Sequence, residues 1–515
     1  MAINTYDEEK IVSSQTETET VSSSDEIPVQ PPKRNFLSRL RGYEEALDRK
    51  LGVESHSIER KLPEHKNPAY AGWSKQFGIF TFWVATCFNI SCFATGFLGW
   101  ELGLDLKQSI LITIFGTSVG GVVACWCATM GPPTGLRQVS ICRFSFGWYP
   151  SKLIAVLNII QEVGWAASGS ITGGLALSAV SDGKVGTALG VIICSVAGCL
   201  LSFQGMSGIF KYTNYIWLVL LVVFLVMFGE TGRFADFTTP PTVKGTAASG
   251  AALTYFSVSY GWGGCCAAFM SDYYVEFPAN ISRLKVFLLS FIGLLLPSWI
   301  GVLCGAIVAS ALPNKPEWEE QYNRGIGFLI QTMLYPYGLA KLILFLLVLS
   351  GIGLNCASMY SAGLSIQQFA RPLSLVPRFI WTLLIFVVVI LLGLAGSDEL
   401  SVFLSSFLSL LGYYATAVFV CLFVEHQLFR RGSYDNYNLE AWDKPDKLPI
   451  GYAGGLAFVC GIVGAVLGMS TDWYTGVLSN LIGDAGGDIG NELCFMLTLL
   501  VYIPARFAEL KIVGR

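Results

Sequence analysis

The chain has 515 residues, of which 53% are hydrophobic and only 13% charged, with a mean hydropathy of +0.56. Soluble domains carry about a quarter charged residues, so this composition excludes a water-soluble globule, and 34 Phe with 13 Trp exclude a disordered chain. Lys and Arg number 33 against 36 Asp and Glu, a formal net charge of −3 that offers no basic field for a nucleic-acid polymer. What is left is an all-α polytopic protein whose solvent is the lipid bilayer.

Residues 1–75 are hydrophilic, with an acidic Ser/Thr/Glu stretch at 16–26 followed by Lys33, Arg34, Arg39 and Arg41. They read as a largely flexible cytosolic tail with no apolar run of signal-peptide type. Beyond them, runs of about 20 mainly apolar residues, the length that crosses the hydrocarbon, begin near Phe77, Lys107, Tyr149, Val185, Asn214, Gly250, Val286, Leu339, Phe379, Leu400, Gly451 and Glu492. These are twelve candidate spans, numbered one to twelve below. A half-apolar stretch at 325–335, stopped by Pro336, is too short to cross and is expected to lie across the outer mouth.

The inner loops implied by an inside N-terminus carry Arg137, Arg143, Lys211, Arg283, Lys285, Arg371, Arg378, Arg430 and Arg431. The outer ones hold scattered cations diluted by Glu317, Glu319, Glu320, Asp398 and Asp472. The bias of Lys and Arg to the inner side puts both termini in the cytosol. Most of the 14 Cys sit inside apolar runs as small packing residues. Three scattered His give no metal-ligand spacing, and no cofactor motif appears.

Spans one and six are interrupted by glycine, at Gly96 and Gly99 and at Gly261, Gly263 and Gly264. Glycine costs a helix about 1 kcal/mol against alanine and lets the backbone unwind, which is tolerable at membrane depth only where the freed groups line a cavity. Breaks five spans apart point to a secondary transporter of two inverted repeats, with Gly96, Gly261, Gly263 and Gly264 as break or gating positions. The competing use of glycine is close helix packing. The implied organisation is a tail to 75, repeats at 76–230 and 249–426, a cytosolic loop at 427–450, and two final helices with a short cytosolic end at 451–515.

In span three, Asn158, Glu162, Trp165 and Gly169 fall on one helix face. A mid-span carboxylate is costly unless protonated, paired or wetted, so Glu162 is a candidate for both substrate contact and coupling proton. Trp165 offers a flat face for a planar ring, and Gly169 is expected to leave room beside it. Span eight carries a polar stripe of Asn355, Ser358 and Ser361, suited to the edge of a ring or to gluing helices together. Asp272 closes span six ahead of Arg283 and Lys285 and reads as a structural or gating pair; Glu425 and His426 with Arg430 and Arg431 read as an interfacial charge cluster.

Several stretches resemble the fungal purine–cytosine permeases of the nucleobase–cation symporter-1 family: Leu51-Gly-Val-Glu54, Met130-Gly-Pro-Pro-Thr-Gly-Leu-Arg137-Gln138, Gly164-Trp165, Asp272-Tyr273 with Pro278, the segment from Phe429 to Gly451, and Gly486-Gly-Asp488-Ile-Gly490. The resemblance implies a 12-helix, 5+5 inverted-repeat (LeuT-like) core with two C-terminal helices. It also implies proton-coupled uptake of cytosine, adenine, guanine or hypoxanthine; a related branch carries vitamin B6. Trp165 falls at the family's ring-stacking tryptophan and Ser91 at a first-span polar contact. Elsewhere the pocket departs from the family. Gly169 stands for Asn, Cys266 for the sixth-span tryptophan (with Trp262 one turn earlier), Leu354 for one of two Asn, Ala357 for a proline and Thr213 for an acid. Glu162 is acidic where the family is not.

The reading is a symporter of a nucleobase or related small planar heterocycle at the plasma membrane, with protons as coupling ion and homo-oligomerisation left open. The substrate contacts expected are Ser91, Glu162, Trp165, Gly169, Cys266, Asn355 and Ser358. The alternatives are a vitamin B6-like or specialised-metabolite permease, and a receptor on the same scaffold that no longer transports. No nucleophile, metal cluster or cofactor motif argues for an enzyme.

Overall fold

The computed structural model describes residues 58–515 apart from 398 and 484–485, without the side chains of 206 and 207. The acidic and basic stretches of the tail and the motif at 51–54 lie outside the described residues. Helical segments stand at all twelve expected places. Segment one is Trp73–Cys87 followed by Ile90–Glu101, two is Leu106–Ala128, three Pro150–Val180 and four Thr187–Ser202. Five is Gly205–Gly232, six Thr246–Gly264, seven Arg283–Ala311 and eight Tyr337–Phe369. Nine is Arg378–Ala395, ten Leu400–Val424, eleven Tyr452–Gly468 and twelve Gly490–Val513. Among the described residues, eight helices are long and apolar enough to cross a membrane, nine with the bent first segment counted once. Segments four and eleven are shorter apolar helices, and segment six, at 19 residues, is not among those that pass, so twelve crossings stay an expectation.

The packing repeats with an offset of five. Segment seven lies along one as two lies along six; four packs on eight as nine packs on three; five packs on one as ten packs on six. Segments three and eight, which exchange places under the same offset, lie against each other. Glycine permits the closest of these crossings. A Cβ on Gly96 would sit 2.1 Å from the Val302 carbonyl and one on Gly305 1.9 Å from that of Phe93, joining segments one and seven backbone to backbone. Gly120 and Gly263 do the same for segments two and six, at 2.2 and 2.3 Å from the Tyr260 and Thr117 carbonyls.

Those contacts correct the expected break positions. The sequence places the first break at Gly96, yet segment one bends by 61° between Cys87 and Ile90, at Phe88 and Asn89. At Gly96 the helix is interrupted only by a tight right-handed turn between Ile90–Thr95 and Leu98–Glu101, where Gly96 N–H donates to the Phe93 carbonyl at 3.1 Å and Phe97 N–H to that of Ala94 at 3.0 Å. The cause of the bend is Asn89, whose side chain accepts from the Cys92 N–H at 2.9 Å and starts a new helix as its N-cap. Gly261 and Gly263 are inside the helix, a Cβ on Gly261 meeting the Leu408 carbonyl at 2.0 Å. Gly264 alone of the three sits at the break, where segment six ends and short 3-10 turns, Cys265–Ala268 and Met270–Tyr273, take over.

A freed carbonyl at each break finds a donor from the opposite repeat. Ser350 Oγ of segment eight donates to the Phe88 carbonyl at 2.5 Å, and Gln161 Nε2 of segment three donates to that of Cys265 at 3.0 Å. An unpaired backbone group at this depth costs several kcal/mol, so these two bonds make the breaks sustainable.

One end of the bundle gathers the cations. Lys66 Nζ donates to the carbonyls of Pro132 (2.5 Å) and Phe277 (2.8 Å), Lys61 pairs with Glu276 at 2.9 Å, and Arg143 and Arg371 share Asp443 at 3.4 and 3.0 Å. Burial lowers the Lys66 amine to about 8. Glu425 and His426, expected at an interface, are both buried, and Glu425 pairs with Arg506 of segment twelve. At the opposite end, Ile326–Met333 forms the expected short helix, and Gln331 donates to the Ala179 carbonyl at 3.1 Å.

Asp488, just before segment twelve, accepts from the Gly490 N–H at 2.9 Å and from the Tyr413 hydroxyl of segment ten. Burial holds its carboxyl up at about 6. An acid raised in this way binds more protons folded than unfolded, so its contribution to folding falls as pH rises from about 4 to 6. Thermal unfolding of the detergent-solubilised protein is expected to show that fall in the wild type and a flatter profile in Asp488→Asn. Parallel profiles would rule out this residue as the cause.

Candidate functional site

The two breaks face each other across a cavity whose space outside the protein atoms, its open mouth included, is about 540 Å³. Segment one supplies Phe82, Trp83, Thr86 and Asn89 to its wall, segment three Glu162 and Trp165, and segment eight Leu354, Ala357 and Ser358. Broken segment six adds Trp262, Cys266, Phe269 and Tyr273. Six of the fifteen wall residues are aromatic: Phe82 and Trp83 of segment one, Trp165 of segment three, and Trp262, Phe269 and Tyr273 of broken segment six.

Trp165 is buried, its indole set edge-to-face against Trp262 (centroids 5.5 Å, 85°) and Phe407 (5.4 Å, 74°). Trp262 is itself fixed by a 2.9 Å hydrogen bond from Nε1 to Ser298 Oγ. Opposite them, Tyr273 packs on Phe82 at 4.5 Å and on Trp83 at 5.5 Å. Glu162 is the only charged residue among these wall residues, and its Oε1 has no hydrogen-bond partner among the described residues. The hydroxyls of Ser358 and Ser361 are its polar neighbours. Such a box suits a flat ring that offers one polar edge.

Of the substrate contacts expected from the sequence, Glu162, Trp165, Cys266 and Ser358 line this cavity and three do not. Ser91 is turned away and shares a 2.7 Å hydroxyl–hydroxyl bond with Ser168, tying segment one to three. Gly169 leaves no room beside the indole, because a Cβ there would meet the Gly351 carbonyl at 2.8 Å; it is a crossing point of segments three and eight. Asn355 donates to the Ala166 carbonyl at 3.1 Å and to Ser170, so its amide glues the same two helices. Asn158 also reaches across, to Ser365 at 2.8 Å.

Asp272 lies below the cavity toward the cationic end. Its carboxylate accepts from the Gln138 N–H at 2.7 Å and faces Arg137 at 3.9 Å, linking broken segment six to the loop after segment two. Its partner is therefore Arg137, not Arg283 or Lys285. Sequence reasoning named none of segment one's share of the wall as a substrate contact, nor Phe269 and Tyr273 of segment six. Asn89, a good N-cap residue inside an apolar run, was the available signal.

Residues 71–486 match the family described as permeases for cytosine/purines, uracil, thiamine and allantoin. The chain belongs to that family. Among curated relatives, the permease is 33% identical over 469 residues to the purine-cytosine permease fcyB of Emericella nidulans, covering 90% of each chain. It is 28% identical over 536 residues to a vitamin B6 transporter of Saccharomyces cerevisiae, covering 94% of this chain and 92% of the other. Among solved structures it resembles Mhp1, a nucleobase-cation-symport-1 family transporter, in a closed conformation with bromovinylhydantoin bound. There the TM-score is 0.66 at 17% identity, over 88% of this chain and 96% of that one. The inward-facing conformation of Mhp1 gives 0.62 at 16%, over 88% and 95%. The permease thus has the fold of these helical membrane transporters, consistent with its internal five-segment repeat.

Proposed function

We propose that the permease is a proton-coupled symporter of nucleobases such as cytosine and purines, or of a related planar heterocycle, at the plasma membrane with both termini cytosolic. The repeats at 76–230 and 249–426 would alternate access to the central cavity, with 451–515 outside the moving core. The observation that carries this reading is the cavity itself. Trp165 and Trp262 form an aromatic corner beside a buried acid, at the point where both broken helices meet.

A second reading, a vitamin B6-like substrate, is favoured by one specific feature. Leu354 stands in the wall where the family has an Asn, so the wall has one amide fewer, while Glu162 adds an acid. A pocket that loses an amide and gains a carboxyl favours a ring rich in donors over one rich in acceptors.

The test is uptake of radiolabelled cytosine, adenine, hypoxanthine and pyridoxine into cells lacking their own permeases, at acidic and neutral pH. Concentrative uptake of a nucleobase that collapses with a protonophore is the expected result. Uptake of pyridoxine alone would move the assignment to the second reading, and binding without flux would identify a receptor.

A further inference from the structure

Glu162 is the wall's carboxyl, with the hydroxyls of Ser358 and Ser361 beside it. Its Oε1 is without a partner among the described residues while the residue is only 2% exposed. Several other polar groups in the wall are already engaged. Trp83 Nε1 donates to the Tyr274 hydroxyl at 3.0 Å, Trp262 Nε1 to Ser298, and Thr86 Oγ1 to the Phe82 carbonyl at 3.0 Å. Asn89 uses its oxygen on Cys92 and its amide nitrogen on the Thr86 carbonyl. The titratable groups facing Glu162 are Cys266, Tyr273 and Asp272 of broken segment six, Tyr414 of segment ten and Cys87 of segment one. Segment eight contributes only hydroxyls. None of these is a cation, so whatever neutralises Glu162 comes with the ligand or is a proton.

A carboxylic acid presents an O–H donor beside a C=O acceptor. A ring edge of the form N=C–NH2 presents an acceptor beside a donor at matching spacing, so the two close a pair of parallel hydrogen bonds. The same complex arises from a protonated acid with a neutral ring, or from a carboxylate with a protonated ring, because the two differ only in where one proton sits.

We propose that Glu162 grips an amino-substituted, amidine-type edge of the substrate ring and that the coupling proton is the one shared in that pair. Substrate and proton then form one bound unit, one proton per ring, rather than occupants of two separate sites. No bond between heavy atoms forms or breaks; the proton enters by forming an O–H bond on the carboxyl or an N–H bond on the ring and departs with the ring, leaving Glu162 as the carboxylate. A lactam edge, HN–C=O, also makes two bonds to the acid but has no basic nitrogen to share charge. Its bonds stay neutral and are roughly half as strong. The inference rests on the transport reading above but specifies chemistry that reading leaves open.

The test uses the full chain in proteoliposomes, with cytosine, adenine and 2-aminopyridine as amino probes, and uracil and 2-pyridone as lactam probes. Amino probes are expected to bind about tenfold or more tighter than their lactam counterparts. Glu162→Gln offers a donor and an acceptor in the same places. It is expected to weaken amino-probe binding by about tenfold, to the level of the lactam probes, because its bonds stay neutral, to lose the variation of affinity between about pH 5 and 8, and to stop responding to an imposed pH gradient. Glu162→Leu should lose the preference for amino probes.

A Glu162→Gln variant that still concentrates substrate on a pH gradient would overturn the proposal, as would one that loses amino probes more than about thirtyfold, which would mean that a carboxylate holds a full cation. Should neither variant fold, wild-type affinity across substituted 2-aminopyridines serves instead: a rise with ring basicity supports the shared proton, and a flat series overturns it. Binding of 2-aminopyridine under these rules without cytosine or adenine would uphold the pair and sink the nucleobase reading. Equal binding of lactam and amino nucleobases would do the reverse.

Discussion

Arg506→Leu is expected to cost about 3–5 kcal/mol of stability, the range seen when one partner of a buried ion pair is removed. Arg506 is fully buried in segment twelve and donates to both oxygens of Glu425, from Nε at 2.9 Å and from Nη2 at 3.1 Å. Its Nη1 reaches Glu509 at 2.9 Å. Glu509 in turn accepts from the Gly451 N–H at 2.7 Å, where segment eleven begins, and Tyr502 donates to Glu425 at 3.0 Å. One guanidinium thus joins the end of segment ten to both final helices. Leucine would leave two carboxylates short of their cation, with Arg430 at 2.9 Å as Glu425's remaining one. Thermal denaturation of a fluorescent fusion followed by size-exclusion chromatography checks this. Arg506→Lys, which keeps the charge but not the forked geometry, should fall in between. A leucine variant that melts with the wild type would mean that the cluster relaxes or hydrates at little cost.

The second large effect is on transport. Trp165→Ala is expected to weaken substrate affinity by roughly 5- to 150-fold, equivalent to the 1–3 kcal/mol that stacking of a base on an aromatic ring contributes. Trp262 and Phe407 hold the indole edge-to-face, which fixes the plane it offers to the cavity. Alanine removes that plane, and phenylalanine should restore part of it. The measurement is uptake KM alongside the amount of protein at the cell surface. A variant retained and degraded inside the cell would show that the ring is needed for packing; a stable variant with unchanged KM would show that it does not touch the substrate.

The positions of the twelve segments were legible because about 20 apolar residues between polar breaks is a length requirement of the solvent, independent of tertiary detail. Glu162, Trp165, Cys266 and Ser358 were also legible. Glu162 and Trp165 put an acid and a large aromatic ring on an apolar helix, Ser358 shared the polar stripe of segment eight with Asn355, and Cys266 marked a family aromatic replaced. Ser91, Gly169 and Asn355 lie outside the cavity lining for one shared reason. Small and polar residues in membrane helices serve helix crossings as readily as ligands, and only the neighbour decides. Ser168, Gly351 and Ala166 are those neighbours.

The glycines show the same division. Composition and hydropathy determined a bundle of membrane helices, the class of each residue, and that the chain would be interrupted in segments one and six. Whether a given glycine was a hinge or a contact depended on which backbone would stand within 2–3 Å of a Cβ placed on it, a distance set by segments far away in the chain. The tertiary structure therefore assigned Gly96, Gly261 and Gly263 to packing and moved the first bend to Asn89, because an amide that caps a new helix interrupts the backbone more firmly than a residue that merely permits interruption.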